Sequence, residues 1–289
     1  MVTYFIDSDM DLTLEHCKKY GFRLISMPYS IDGKTIYPYE DFETFECHEY
    51  YEKLREGTMP TTSGISKEKY LSYFEPEFAA GNDICYFHFS KAMSNTFDFM
   101  KQAVDELTAK YPERKFYQLD TKSITTLGAV IALAIGDDIL SGMGVEELLE
   151  KWKTEIDHYA VYMFVDDLKF FKRSGRVSGL SATMGTLLGI RPVINITEEG
   201  IMQSCGTCKG RAKSVAYLVD QVAALGDHVK DYRFVIGHTD APELVEEVLE
   251  GLKEQVGEDL QYEIIPASPT TGGHSGPDGV AVAFHAIHR

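Results

Sequence analysis

The run MPTTSGISKEKYLSYF, beginning at Met59, sets Thr61, Thr62, Ser63 and Gly64 directly ahead of a stretch with the apolar spacing of a helix. Hydroxyl groups in that position can do two jobs. Thr62 or Ser63 can cap the helix by accepting bonds from its first free N–H groups, with Ile65, Leu71 and Phe74 turned to a core and Lys67, Glu68 and Lys69 to solvent. The same hydroxyls, joined by those N–H groups, also make a ready site for an anion. FHFSKAMSNTF, from Phe87, repeats the arrangement: a strand ends at Ser90, and Ser94, Asn95 and Thr96 lie where the next helix starts. The two hydroxyl-rich turns can meet in one crevice at neighbouring strand ends, or they can be two unrelated helix caps. TTGGHSGPDG is a third polar segment, with His274 set among glycines that suit tight turns or close approach of backbone to a ligand.

Other residues invite chemistry less strongly. Cys205 and Cys208 form CGTC, but a redox pair of that spacing normally opens a helix, and this one follows the strand-like GIMQS. A zinc site would need a second ligand pair, and the histidines offer no HxH or HxxxH spacing, so no metal site is expected. DSDMD, near Asp7, can mimic a metal or phosphate site, although an aspartate that ends a strand and caps a helix is the commoner arrangement. His238 in IGHTDAPE reads as structural, at a strand end beside a helix cap. KFFKRSGRVSG is the one strongly basic run, with Lys169, Lys172, Arg173 and Arg176 inside eight residues; it reads as a loop, either a solvated face or a docking surface for a phosphate or a partner. Neither a GxxxxGK[ST] loop nor a GxSxG elbow occurs.

The elements that must position these groups alternate. TYFIDS, DICYFHFS and KFYQLD read as strands, each followed by a helical pattern (DLTLEHCKKYG, NTFDFMKQAVDELTAKY, TTLGAVIALAI), and FRLISMPYSI reads as one more strand. Such alternation implies a mostly parallel sheet whose ligands gather at the carboxyl ends of its strands. After a helix from Val145 to His158 come YMFVDD, a hairpin in RPVINITEEGIMQSCGTCKG turning at Glu198-Glu199-Gly200, DYRFVIGHTD, two helices, and a closing strand pair QYEIIPA and GVAVAFHAI. The expectation is α/β with two domains: residues 1–160 as a mostly parallel sheet flanked by helices, and residues 161–289 as an α/β unit with a mixed sheet.

At 289 residues the chain has room for two packed cores. Its net charge of −17 opposes binding to nucleic acid and to anionic membrane surfaces. LGAVIALAIG is too short to span a bilayer, no basic start or leader-like apolar run opens the chain, and five cysteines cannot all pair. A cytoplasmic protein with reduced thiols and no stable membrane insertion is expected.

Taken in order along the chain, FIDSDMDL, TTSGIS, SKAMSNTF, QLDTKS, FVDDLKFFKRSGRVSGLSATMGTLLGIRPVI, GHTDAPE and GGHSGPDGVAVAF closely resemble the DegV family of bacterial fatty-acid-binding proteins. The long central segment is the most specific piece. The resemblance implies one long-chain fatty acid buried between the two domains, as a ligand rather than a cofactor. Its carboxylate would be held by Thr62 and Ser94, with Ser63 and Asn95 beside them and His274 closing the head-group region. It further implies a separate fatty acid kinase as partner, which would phosphorylate the presented carboxyl group, so that this chain is not itself an enzyme. Arg176, matching an arginine of the family's glycine-arginine motif, would serve docking together with Arg173 and Lys172. The second motif departs from the family's usual serine-serine-x-leucine-serine-glycine-threonine at Lys91, Met93 and Asn95, and CGTC lies outside the pattern. Small apolar residues of GLSATMGTLLGI would line the acyl tunnel. The competing expectation is a lipid-acting hydrolase or transferase using Ser94 or Ser63 with His274.

Overall fold

The structure, a computed structural model, describes residues 1–180 and 189–289. Most of GLSATMGTLLGI therefore lies outside the described residues. Along the first half run β1 (Val2–Asp7), α1 (Leu14–Tyr20), β2 (Phe22–Ile25), β3 (Tyr29–Ile31), β4 (Lys34–Ile36), α2 (Cys47–Arg55), β5 (Thr61–Thr62), α3 (Lys67–Ala79), β6 (Asp83–His88), α4 (Thr96–Lys110), β7 (Phe116–Asp120), α5 (Thr125–Leu140) and α6 (Val145–Glu155). The second half supplies β8 (Tyr159–Val165), α7 (Lys169–Ser174), β9 (Val177–Ser178), β10 (Ile190–Ile196), β11 (Met202–Lys209), α8 (Arg211–Leu225), β12 (Phe234–His238), α9 (Pro242–Val256), β13 (Tyr262–Pro266), α10 (Pro269–Ser275) and β14 (Gly279–His285).

The strands form two main sheets. One has the order β2-β1-β6-β7 and is parallel throughout. The other, β13-β12-β14-β8-β10-β11-β9, mixes both senses, as expected for the second unit. The strands of the first sheet come from residues 2–120 and those of the second from 159–285, so a boundary at 160 falls just inside β8. Helix α5 joins the two. It packs on β8, β12 and β14 as well as on the turn after β1, and its residues Thr126–Leu133, Ile135 and Gly136 are buried, which is why its sequence is apolar all round instead of striped. Its glycines permit the closeness: a Cβ on Gly128 would meet Met10, and one on Gly136 would strike the Tyr20 ring.

Several expectations are corrected by pairings that only the folded chain reveals. FRLISMPYSI is two strands in different sheets, because Tyr29 and Ser30 pair with Thr62 and Thr61 and so build a small third sheet, β4-β3-β5. Thr62 and Ser63 do not cap α3. Ser66 does, its hydroxyl accepting from Lys69 N at 3.3 Å, while Ile65 and Phe74 are buried as expected. QYEIIPA and GVAVAFHAI are not neighbours, since β12 lies between β13 and β14. The basic run is largely the helix α7, closed by Gly175 at φ 65°, and not a loop. The hairpin turn is found where expected, with Gly200 at φ 77° and its N–H donating to Thr197 O at 2.9 Å.

Candidate functional site

TTGGHS does not form a glycine loop; it is the body of α10. Ser268 caps the helix and Pro269 occupies its first turn, a favourable start. Two glycines should weaken a helix by roughly 1 kcal/mol each. Their use lies in the tyrosines of α2. Tyr50 Oη donates to Pro269 O at 2.6 Å and Tyr51 Oη donates to Ala267 O at 3.0 Å. A Cβ on Gly272 would sit 2.0 Å from the Tyr51 hydroxyl. The glycines thus admit two buried aromatic struts that anchor the segment carrying His274.

From α10, His274 Nε2 meets the Thr62 hydroxyl of β5 at 2.8 Å. The backbone after Thr62 is tied in turn to the start of α4: Ile65 N–H donates to Thr96 Oγ1 at 3.1 Å, and Thr96 N–H donates to Ser94 Oγ at 3.2 Å. The three polar segments singled out from the sequence therefore converge. Thr62, Ser63, Ser94 and His274 all border one cavity, whose remaining wall includes Met27, Phe89, Met163, Phe171 and Met202. The cavity leaves about 130 Å³ open to the centres of water-sized molecules. One water needs roughly 10–15 Å³ by that measure, so the space suits a much larger ligand. Asn95 stands outside this lining, exposed at the cap position of α4 with no side-chain cap bond.

Burial, reinforced by the positive charges of Arg176 and Arg173, pushes His274 down to about 4. The imidazole is therefore neutral at pH 7. A folded-state value below the ordinary 6.5 means that the unfolded chain binds the extra proton first. Stability from this group is present above about pH 6.5 and is lost as pH falls towards 4. Compared with His274→Gln, wild type should lose on the order of 2 kcal/mol across that window. Denaturant melts at pH 7 and pH 4.5 measure it, and parallel curves for the two proteins would refute the assignment.

The basic segment divides. Arg173 donates to the carbonyls of Met59 and Gly273 at 3.1 and 3.3 Å, and also to that of Pro60, so it braces the approach to β5 against α10. Arg176 is exposed, borders the cavity, and donates to Ser174 O at 2.6 Å. Lys172 is exposed on α7.

Asp7 is fully buried and acts as the cap expected of it: its carboxylate accepts from Asp9 N at 3.1 Å, Phe89 N at 3.0 Å and Tyr86 Oη at 3.1 Å. Burial pushes it up to about 7 against those bonds, which favour the charge. It ties the end of β1 to the segment that runs on to Ser94. Asp9 and His238 also border the cavity, and their sequence surroundings give no sign of it. Cys205 and Cys208 stand on β11 with both thiols pushed up by burial, which disfavours the thiolate that redox chemistry needs. His48, Glu52 and Asp240 group at the surface, but Arg55 already pairs with Glu52 and Asp240. A hydrolase would need His274 against a serine. Its hydrogen bond among the described residues goes to Thr62.

A family model described as "Uncharacterised protein, DegV family" matches residues 2–286, and the chain belongs to that family. A DegV domain-containing protein of Clostridium perfringens is 28% identical over 284 residues, covering 97% of this chain and 96% of that one. Among solved structures, a DegV family protein of Ruminococcus gnavus with vaccenic acid superposes with a TM-score of 0.83 at 23% identity, covering 98% and 99% of the two chains. The Streptococcus pneumoniae Fatty Acid Kinase (Fak) B3 protein loaded with linoleic acid gives 0.82 at 17% identity, covering 99% of each. No helix among the described residues is long and apolar enough to cross a membrane.

Proposed function

We propose that this chain binds one long-chain fatty acid in the cavity, between a first domain of residues 1–160 and a second of residues 161–289. Thr62, Ser94 and His274 receive the carboxylate, with Ser63 beside them. The observation that carries this reading is the meeting of three hydroxyl and imidazole donors at one mainly apolar cavity. Each buried methylene of an acyl chain contributes roughly 0.8 kcal/mol, so the tail supplies most of the affinity. A buried carboxylate, in contrast, must be hydrogen-bonded or its burial is very costly. Neutral His274 suits that task, because its ring can donate one N–H without adding a second buried charge. Solved relatives named with vaccenic or linoleic acid support the ligand class.

The loaded protein presents its carboxyl group to a separate fatty acid kinase, which makes the acyl phosphate; the chain is not an enzyme and needs no cofactor beyond its lipid. Support for the partner comes from the pneumococcal relative, named as the B3 protein of a fatty acid kinase. Arg176 serves docking, aided by Arg173 and Lys172 around α7; in support, it is exposed and borders the cavity. The protein works in the cytoplasm and meets neither nucleic acid nor the membrane interior. In a reconstituted assay, Arg176→Ala should cut acyl phosphate formation about tenfold or more while fatty acid affinity changes less than about threefold, the usual reach of an exposed charge. Equal losses in both would move Arg176 to the lipid.

A further inference from the structure

Three carboxyl groups lie within the five residues from Asp7, the last of β1, to Asp11, and two of them are spent on structure. Asp7 accepts three bonds, as described. Asp11 accepts from Thr125 Oγ1, from Ser268 N at 2.9 Å and from Thr271 Oγ1 at 3.0 Å. Asp9, between them, is only 6% exposed and borders the cavity, yet its Oδ1 has no hydrogen-bond partner among the described residues. His238, at the end of β12, borders the same cavity, and its buried Nδ1 is likewise without a partner. Both are held against α5, one through the turn after β1 and the other through β12. Thr125 and Thr126, at the start of α5, also border the cavity.

An unbranched hydrocarbon tail leaves both atoms unpaired, and an unpaired buried polar group is costly. We infer that the cavity takes an acyl chain bearing a hydroxyl group away from its carboxylate, and that Asp9 and His238 recognise that hydroxyl. An O–H both donates and accepts, so it satisfies a carboxylate, a protonated carboxyl and either tautomer of an imidazole. A keto oxygen only accepts, so it pairs with Asp9 or His238 only where they carry a proton, whereas a hydroxyl serves every protonation state of the two. A cationic amine would have to be desolvated in a cavity bordered by Arg176, where burial, reinforced by that charge, already drives the proton from His274. Burial, with Asp7 and Asp11 beside it, holds the Asp9 carboxyl well above the usual carboxylate range, which a neutral partner tolerates.

This inference rests on the fatty acid reading and deepens it. The test uses the full chain stripped of lipid, with octadecanoic acid and its monohydroxy isomers displacing a fluorescent fatty acid. One isomer should bind about tenfold more tightly than the unsubstituted acid, the gain of one hydrogen bond to a buried group. Asp9→Leu should erase that advantage while binding octadecanoic acid at least as well as wild type. Should the leucine variant not fold, Asp9→Ala and His238→Phe read the same difference. The inference is overturned if every isomer binds no better than octadecanoic acid, or if the preference survives in both replacement proteins. Failure of octadecanoic acid and all isomers alike would instead bring down the fatty acid reading itself.

Discussion

Replacing Asp7 by alanine should lower stability by about 3–5 kcal/mol, since two buried N–H groups and the Tyr86 hydroxyl each lose an acceptor worth roughly 1–3 kcal/mol. The partial relief of a buried charge is included in that range. For a chain of this size about 2 °C of melting temperature follows each kcal/mol, so Tm should fall by about 6–10 °C. The loss has a functional side. Phe89 N is one of the orphaned donors, and the same segment carries Ser94 to the cavity, so ligand affinity should fall along with stability. Asp7→Asn should be milder, because the amide keeps one acceptor. Urea denaturation of the three proteins measures the order, and an alanine variant as stable as wild type would remove Asp7 from this role.

Thr62→Val should weaken binding of a long-chain fatty acid by about 1–3 kcal/mol, or roughly 5–150-fold. Valine keeps the shape but removes the hydroxyl that meets His274 at 2.8 Å, leaving both the imidazole and the ligand carboxylate short of a partner. The corresponding fatty alcohol carries no charge to be left exposed to an apolar wall, so its weaker binding should change much less. Competition titrations with acid and alcohol, on wild type and variant, separate a head-group role from a packing role. Equal losses for the two ligands would mean that Thr62 only shapes the cavity.

Much of the framework was legible because short-range rules governed it. β1, β6 and β7 are short apolar runs bounded by turn residues, and α1 falls inside DLTLEHCKKYG, capped by Thr13 two residues after Asp11 and closed by Gly21. The motifs carrying Thr62, Ser94 and His274 were readable too, as polar segments at strand ends and through their family resemblance. What stayed hidden depends on partners distant in sequence. The division of FRLISMPYSI into two strands needs Thr61 and Thr62 as pairing partners for β3. α10 is helical despite its glycines because Tyr50 and Tyr51, over 200 residues away in sequence, fill the space a side chain would take. In DSDMD the three aspartates look alike; only the fold reveals that Asp7 and Asp11 are engaged while Asp9 Oδ1 has no partner among the described residues. α7 is six residues long, too short for periodicity to distinguish it from a loop.

The central claim is that a fatty acid occupies the cavity, and the most direct measurement is mass spectrometry of the protein purified without detergent, first intact under native conditions and then after denaturation and extraction. The account predicts one long-chain fatty acid per chain in the intact species, released on denaturation, with readdition to the stripped protein raising Tm by mass action. It also predicts no turnover of ester substrates. Repeatedly lipid-free preparations whose Tm does not respond to added fatty acid would contradict it.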